Sequence, residues 1–515
     1  MKNLHLTVCA VIALLVCSLT AVAQNRSNTR VDTLSVMLQR ANAGDDVAQN
    51  ILGLWYYTGN KVDKDYEKAL KWWALAAKKD NADAIGNMAM CYQLGRGAEA
   101  DSALASRLYI TAFEKGNDQL LQQHIRLSEE KGNVFSSLLL FDVYSHAKGG
   151  QQRDMDKALA FLQKAAETGH TDSQVKLALQ YFNMHKVEDS AKWFKALADK
   201  GQATGLYYYG YQLFRGIGIE QDKTTGIEYL KKAAVAGIIN ANKMLGTIYY
   251  EGDGVDADYA TAVGYLKKAA ASRQGESQLV LAKCYMNGKG VEKDYAIAVQ
   301  WLAEAYANNQ ADMVVALLSD SKNAAMKTYV DGLKAYYIDV DYVAALNLFK
   351  KLEKDIPADA QMMQAICMAD ANNTKGNAKK AFRLMTTAAE SSPAAMFALS
   401  KMYDDGIGTD KNTDKARELT ITAADLGEGH AQCLAGDWYM EGKRDGVVQD
   451  MVKAVDYYLK AEKQFCLNSA SAKHLAECYR LGINNLPDKN KAQLRMEALK
   501  NWQDTDHLKD MLRKL

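Results

Sequence analysis

The chain has 515 residues, enough for about three ordinary domains, and 48% of them are hydrophobic. Lys+Arg number 63 and Asp+Glu 62, so the net charge is +1, which excludes a basic footprint for nucleic acid or an anionic membrane surface as the main role. Only three prolines occur, at Pro357, Pro393 and Pro487, as expected where nearly every residue is helical or in a short connection.

Taken from its start, the chain opens on a segment unlike the rest. Lys2 precedes an apolar run from Val8 to Leu19, and Ala21-Val22-Ala23 before Gln24 fits a small-residue cleavage site. Residues 1–23 therefore read as a secretory signal peptide, too short in its apolar part for the ~20 residues that span a bilayer. Cys17 invites a lipoprotein reading, but Val16 before it is bulky. The expected destination is the periplasm, with secretion or an outer-membrane lipoprotein as the alternatives. No later stretch is long and apolar enough to span, so no integral membrane span is expected in the mature chain.

After a lead-in at 24–40, one element keeps returning. Gly216, Gly252 and Gly288 are 36 residues apart, as are Gly59 and Gly95, and Gly406 and Gly442. A fixed period of this size marks an array of one small unit. In the best unit, Leu245, Ile248 and Tyr249 lie at helical spacing, Gly252 and Gly254 stop that first helix, and Val255 plugs the turn. Asp258 then caps a second helix carrying Ala262, Tyr265, Leu266 and Ala269.

The cap recurs at Asp65, Asp101, Asp154, Asp222, Asp294, Asp341, Asn377, Asn412, Asp450 and Asp488. Four residues on is a small residue, for close helix approach. Seven on is a large one in all but the last unit, where Arg495 stands, expected to fill the space between hairpins. Eleven capped units plus a capless one at 173–201 predict twelve repeats. The period stretches at about 117–133 and 306–322, where two further helices are expected.

The pattern Leu245-Gly246-x2-Tyr249-x2-Gly252-x-Gly254-Val255-x2-Asp258-x3-Ala262-x2-Tyr265-x2-Lys268-Ala269-Ala270 resembles the Sel1-like repeat, a relative of the tetratricopeptide repeat with a longer loop between its helices. The match is tight at 41–117, 203–305 and 394–463. The resemblance implies an all-α fold, an α/α superhelical solenoid with a concave binding face, acting as an adaptor or assembly scaffold. The predicted organisation is a Sel1-like array at 41–305 with a helical insertion near 117–133, degenerate tetratricopeptide-like hairpins at 306–390, Sel1-like repeats at 391–500 and a C-terminal capping helix at 501–515.

Candidate chemistry is sparse. The glycine loops follow helices rather than strands, and no GxxxxGK[ST] occurs, so they read as turns and not phosphate cradles. No HExxH, CxxC or GxSxG is present, and no catalytic, cofactor or metal residues are assigned. His170 and His430 follow glycines between repeats and read as turn residues. Cys91, Cys284 and Cys478 share one repeat position before a tyrosine, which favours buried helix residues over a disulfide framework.

Tyrosines outside the repeat register are better groove candidates. Tyr207, Tyr211, Tyr250 and Tyr285, with Asn242 and Lys243, are assigned to a concave protein-binding face, since Tyr supplies contact area with a polar tip. The expected partner is a protein or peptide, with no nucleic acid; the oligomeric state stays open. The expected function is a non-catalytic exported scaffold of the cell envelope. The alternative is an envelope enzyme or small-molecule binder of the β-lactam type, as in cysteine-rich Sel1-like proteins. This chain lacks their regular cysteine pair, so that association does not carry over.

Overall fold

A computed structural model describes residues 33–370, 372–442, 444–463, 469–483 and 507–515, and these are helical throughout, with no strand among the described residues. The expected signal peptide, Cys466, Pro487, the cap Asp488 and Arg495 lie outside the described residues. The chain divides into two compact units, residues 1–185 and 186–515.

In the first unit, hairpins pair Asp46–Thr58 with Tyr66–Ala77, Ala82–Leu94 with Ser102–Glu114, and Val134–Ser145 with Met155–Glu167. The extra helix Asp118–Lys131 occupies the stretched interval, and Thr171–Asn183 closes the unit against Met155–Glu167. In the second unit, Val187–Asp199 packs on Ala203–Arg215, which pairs with Lys223–Val235. Pairs follow at Ile239–Glu251/Tyr259–Ala271, Gly275–Asn287/Tyr295–Ala305, Ala324–Tyr337/Tyr342–Lys351, Pro357–Ala369/Ala378–Ala389, Pro393–Asp405/Thr413–Asp425 and Gly429–Glu441/Met451–Lys463. The helix Ser469–Leu481 comes next among the described residues. The capless repeat expected at 173–201 is thus shared between units, the division falling at His185–Lys186.

The caps work as the residue types require. Asp258 accepts from the Thr261 amide at 3.0 Å, and Asn412 accepts from the Lys415 amide at 3.0 Å. Four residues after the cap, Ala69, Ala262, Ala298 and Ala416 are wholly buried. The deepest large side chain sits eight residues after the cap, one later than expected: Trp73, Leu162, Leu230, Leu266, Leu302, Phe349 and Tyr458 are all at 0% exposure. Trp72, Tyr229, Tyr265 and Trp301, at the expected position, are half-buried. Positions four, eight and eleven after the cap form one stripe against the first helix, and position seven lies at its edge.

Several first helices receive that large side chain with a glycine. A Cβ on Gly53 would lie 2.4 Å from the Trp73 ring, one on Gly246 2.7 Å from Leu266, and one on Gly436 2.6 Å from Tyr458. The loop glycines do separate work. Gly252 ends its helix at φ 74°, and Gly290, at φ 72°, lies so close to the previous repeat that a Cβ would meet the Tyr259 carbonyl oxygen at 2.3 Å. The second glycine of the loop therefore seals one repeat onto the start of the preceding second helix.

The C-terminal helix departs from the expectation of a cap. His507–Lys514 packs mainly against Tyr295–Ala305 and Ala324–Tyr337, far back in the sequence, with Met511 and Leu512 wholly buried there. Its apolar stripe draws it onto an apolar cluster, where a solvent-facing cap would be polar.

Candidate polypeptide-binding surface

Within each unit, first helices of neighbouring repeats lie against one another, as Asp46–Thr58 does on Ala82–Leu94 and Ile239–Glu251 on Gly275–Asn287. They form a continuous row within each unit. Lys243 marks that row, reaching Glu276 on the next first helix at 2.5 Å.

Four of the six assigned residues remain accessible on first helices. Tyr207 and Tyr211 are one turn apart on Ala203–Arg215, half-buried, with ring centroids 6.4 Å apart. Lys243 occupies the Tyr207 position 36 residues on, and Tyr250 lies seven residues further along the same face. Tyr250 is half-buried, edge-on to Tyr259 at 5.6 Å, with the Lys289 ammonium 5.0 Å from its centroid. Burial raises the Tyr207 and Tyr250 phenols above their ordinary range, and Lys289 partly offsets this at Tyr250, so both present neutral hydroxyls.

Asn242 and Tyr285 are corrected. Asn242 is 3% exposed and donates to the Ile238 carbonyl at 3.1 Å, and Tyr285 is 8% exposed within the core. One residue along a helix is about 100° of rotation, which turns the neighbour of Lys243 inward, and Tyr285 lies in the buried run Cys284 to Met286. Neither can line an open face.

Several titratable groups escaped the sequence reading. Asp294 caps Tyr295–Ala305 through the Ile297 amide at 2.8 Å, and Asp359, 64 residues beyond Tyr295, accepts from the Tyr295 amide at 3.3 Å. Burial, with Asp294 adding repulsion, pushes Asp359 up to about 7. In the last described repeats, Tyr458, Ser471 and His474 converge on the Asp437 carboxylate, with Tyr458 at 2.8 Å and His474 at 3.0 Å. That carboxylate ties three helices together. His124 is 4% exposed, beside the Ser136 hydroxyl at 2.9 Å, and burial lowers it to about 4, keeping the imidazole neutral. None of these sets was legible, because their members come from different repeats.

In the first unit, a cavity of about 510 Å³ is lined by Phe141, His146, Arg153, Met155, Lys176 and Gln180, among others. The Lys176 ammonium sits 4.2 Å from the Phe141 ring centroid, and burial lowers its pKa while Asp142 opposes the shift. Cys91, Cys284, Cys367, Cys433 and Cys478 are buried free thiols. Among the described residues, no group of three or more His, Cys, Asp or Glu is placed to hold a metal ion. No helix there is long and apolar enough to cross a membrane.

The repeated hairpins, capped second helices and glycine-sealed loops define a helical-repeat solenoid. The chain belongs to the Sel1 repeat family. The family model, described as Sel1 repeat, matches residues 46–81, 82–117, 138–170, 203–237, 239–272, 275–310, 358–392, 393–428 and 429–464, together more than half of the chain. Sel1 repeats generally mediate protein interactions. Among solved structures, the chain is similar to a protective antigen present in uropathogenic Escherichia coli strains displaying an SLR fold. That match has 22% identity over 95% of this chain and 91% of the other, with a TM-score of 0.36. It is also similar to a Sel1 repeat protein from Oxalobacter formigenes, at 24% identity over 57% of this chain and 96% of that one, with a TM-score of 0.33.

Proposed function

We propose that the protein is a non-catalytic, exported scaffold that binds a protein or peptide partner along its row of first helices, as an adaptor or assembly factor of the cell envelope. The observation that carries this reading is the set of half-buried tyrosines Tyr207 and Tyr211 on one first helix and Tyr250 on the next, which also carries Lys243. Half-buried tyrosines on packed helices offer contact area whose ordering has already been met in folding, which leaves the ordering cost on the ligand. Export rests on the apolar run and the small-residue site within residues 1–23.

The test is a pull-down from envelope extract with Gln24–Leu515, beside a variant carrying Tyr207→Ala, Tyr211→Ala and Tyr250→Ala that keeps wild-type helicity. A single polypeptide recovered by wild type and depleted at least ten-fold by the variant is the expected result. Equal recovery by both would remove this face as the site, and no specific polypeptide with either would overturn the scaffold reading. A second reading, a small-molecule binder, is favoured by the cavity beside Arg153 and Lys176. Calorimetric titration with small carboxylates, compared with Arg153→Ala, tests it.

A further inference from the structure

We propose that the cleft between Tyr295–Ala305 and Ala324–Tyr337 is a docking site for short amphipathic helices, and that the C-terminal helix His507–Lys514 is its resident, releasable occupant. The inference rests on the reading that the array binds polypeptide, but it concerns a face other than the tyrosine row.

The cleft arises where the period stretches. After Ala305 the chain does not run straight into the next hairpin; it breaks at Tyr306–Gln310, with Asn309 at φ 65°, and inserts Ala311–Ser319. In most of the regular repeats a second helix packs broadly on the next first helix, as Tyr259–Ala271 does on Gly275–Asn287. Here Tyr295–Ala305 and Ala324–Tyr337 barely meet, and each touches the C-terminal helix more than it touches the other. The visiting helix takes the place of a direct repeat contact.

Its sequence suits that place. Leu508, Met511, Leu512 and Leu515 stand at i, i+3, i+4 and i+7, a single apolar stripe. Met511 and Leu512 are wholly buried, and Leu508 and Leu515 are partly buried against the same apolar cluster. The rim selects charge. His507 Nδ1 meets Glu304 at 2.8 Å, and the ammonium groups of Lys509 and Lys514 lie 5.6 Å and 5.9 Å from the Tyr337 and Tyr306 rings. Asp510 and Arg513 pair on the outer side at 3.1 Å.

Eight residues are too few to hold a helix in water, so this helix exists because it is docked. The two helices it lies on keep their own hairpin partners when it departs, Tyr295–Ala305 on Gly275–Asn287 and Ala324–Tyr337 on Tyr342–Lys351. What it leaves is a cleft matched to a helix with apolar residues at those four positions and basic groups flanking them. A partner helix of that chemistry competes with the chain's own C-terminus.

The experiment uses a fluorescein-labelled peptide with the sequence of residues 507–515, the full chain, and a full-chain Met511→Asp, Leu512→Asp variant that cannot reseat its own helix. The variant is expected to bind the peptide at least ten-fold more tightly than wild type, and a peptide carrying the same two changes to bind neither. Equal binding to both proteins, or no binding to a variant of unchanged helicity, would overturn the proposal. Should the variant lose helicity, hydrogen exchange on the wild-type chain decides. Amides of 507–514 exchanging at least ten-fold faster than those of Tyr295–Ala305 support release, and equal protection overturns it. Neither result bears on the tyrosine-variant pull-down, so the two readings fail separately.

Discussion

At the scale of residues, the pair Asp294 and Asp359 puts two carboxylates at one helix start. The helix N-terminus favours negative charge, and the amides of Ile297 and Tyr295 each reach one acid. Burial outweighs this at Asp359, held near 7 against an ordinary 3.8. An acid raised in the folded chain binds its proton more tightly folded than unfolded. Its contribution is therefore most favourable at low pH, and stability declines as pH climbs from about 4 to about 7. Asp359→Asn keeps an acceptor for the Tyr295 amide and removes the ionisation. The expected result is a variant more stable than wild type at pH 8 by roughly 2 kcal/mol, with the difference shrinking towards pH 5. Urea melts at the two pH values measure it; a difference independent of pH would assign the effect to shape and not to charge.

Among the elements, several hairpins are held by a glycine facing a large side chain. The Gly246–Leu266 contact brings the two helices closer than any Cβ permits, since the new atom would meet Leu266 at 2.7 Å and its backbone nitrogen at 3.2 Å. Gly246→Ala should therefore destabilise by about 1–3 kcal/mol, although Ala is the better helix former. Thermal melts check this. Gly264→Ala, where a Cβ meets nothing within 4 Å, is the internal control and should be neutral or slightly stabilising.

This level of structure was largely legible in the sequence. Glycine spacing, Asp caps and small residues four positions on are local rules, and they placed the hairpins. The depth of the large residue was misplaced by one position because periodicity gives a stripe, not its centre. The same shortfall put Asn242 and Tyr285 on the candidate surface when they face the core. The Asp294–Asp359 and Asp437–His474 sets were beyond reach, because their partners are joined by stacking geometry and not by spacing.

On the scale of the whole molecule, the contact between His507 and Glu304 spans 203 positions of sequence, one that no periodicity foretells. It also sets the second unit apart from a plain array, where stability is a sum of repeat and nearest-neighbour terms. One sign of the division was in the sequence, since the repeat at 173–201 lacks its glycine loop; the structure adds a left-handed φ of 57° at His185. Two compact units predict two responses to mutation. Trp73→Ala removes a wholly buried indole from the first unit and should cost about 3–5 kcal/mol. Leu302→Ala does the equivalent beside the C-terminal helix in the second unit, at about 2–5 kcal/mol. By hydrogen exchange, Trp73→Ala should accelerate amides of Asp46–Thr58 and Ala82–Leu94 while leaving Ile239–Glu251 at its wild-type rate. Leu302→Ala should reverse that pattern and also release the amides of His507–Lys514. If either substitution accelerated all helices equally, the chain would be unfolding as one cooperative body, and neither the division at 185 nor the separate anchoring of the C-terminal helix would describe how it comes apart.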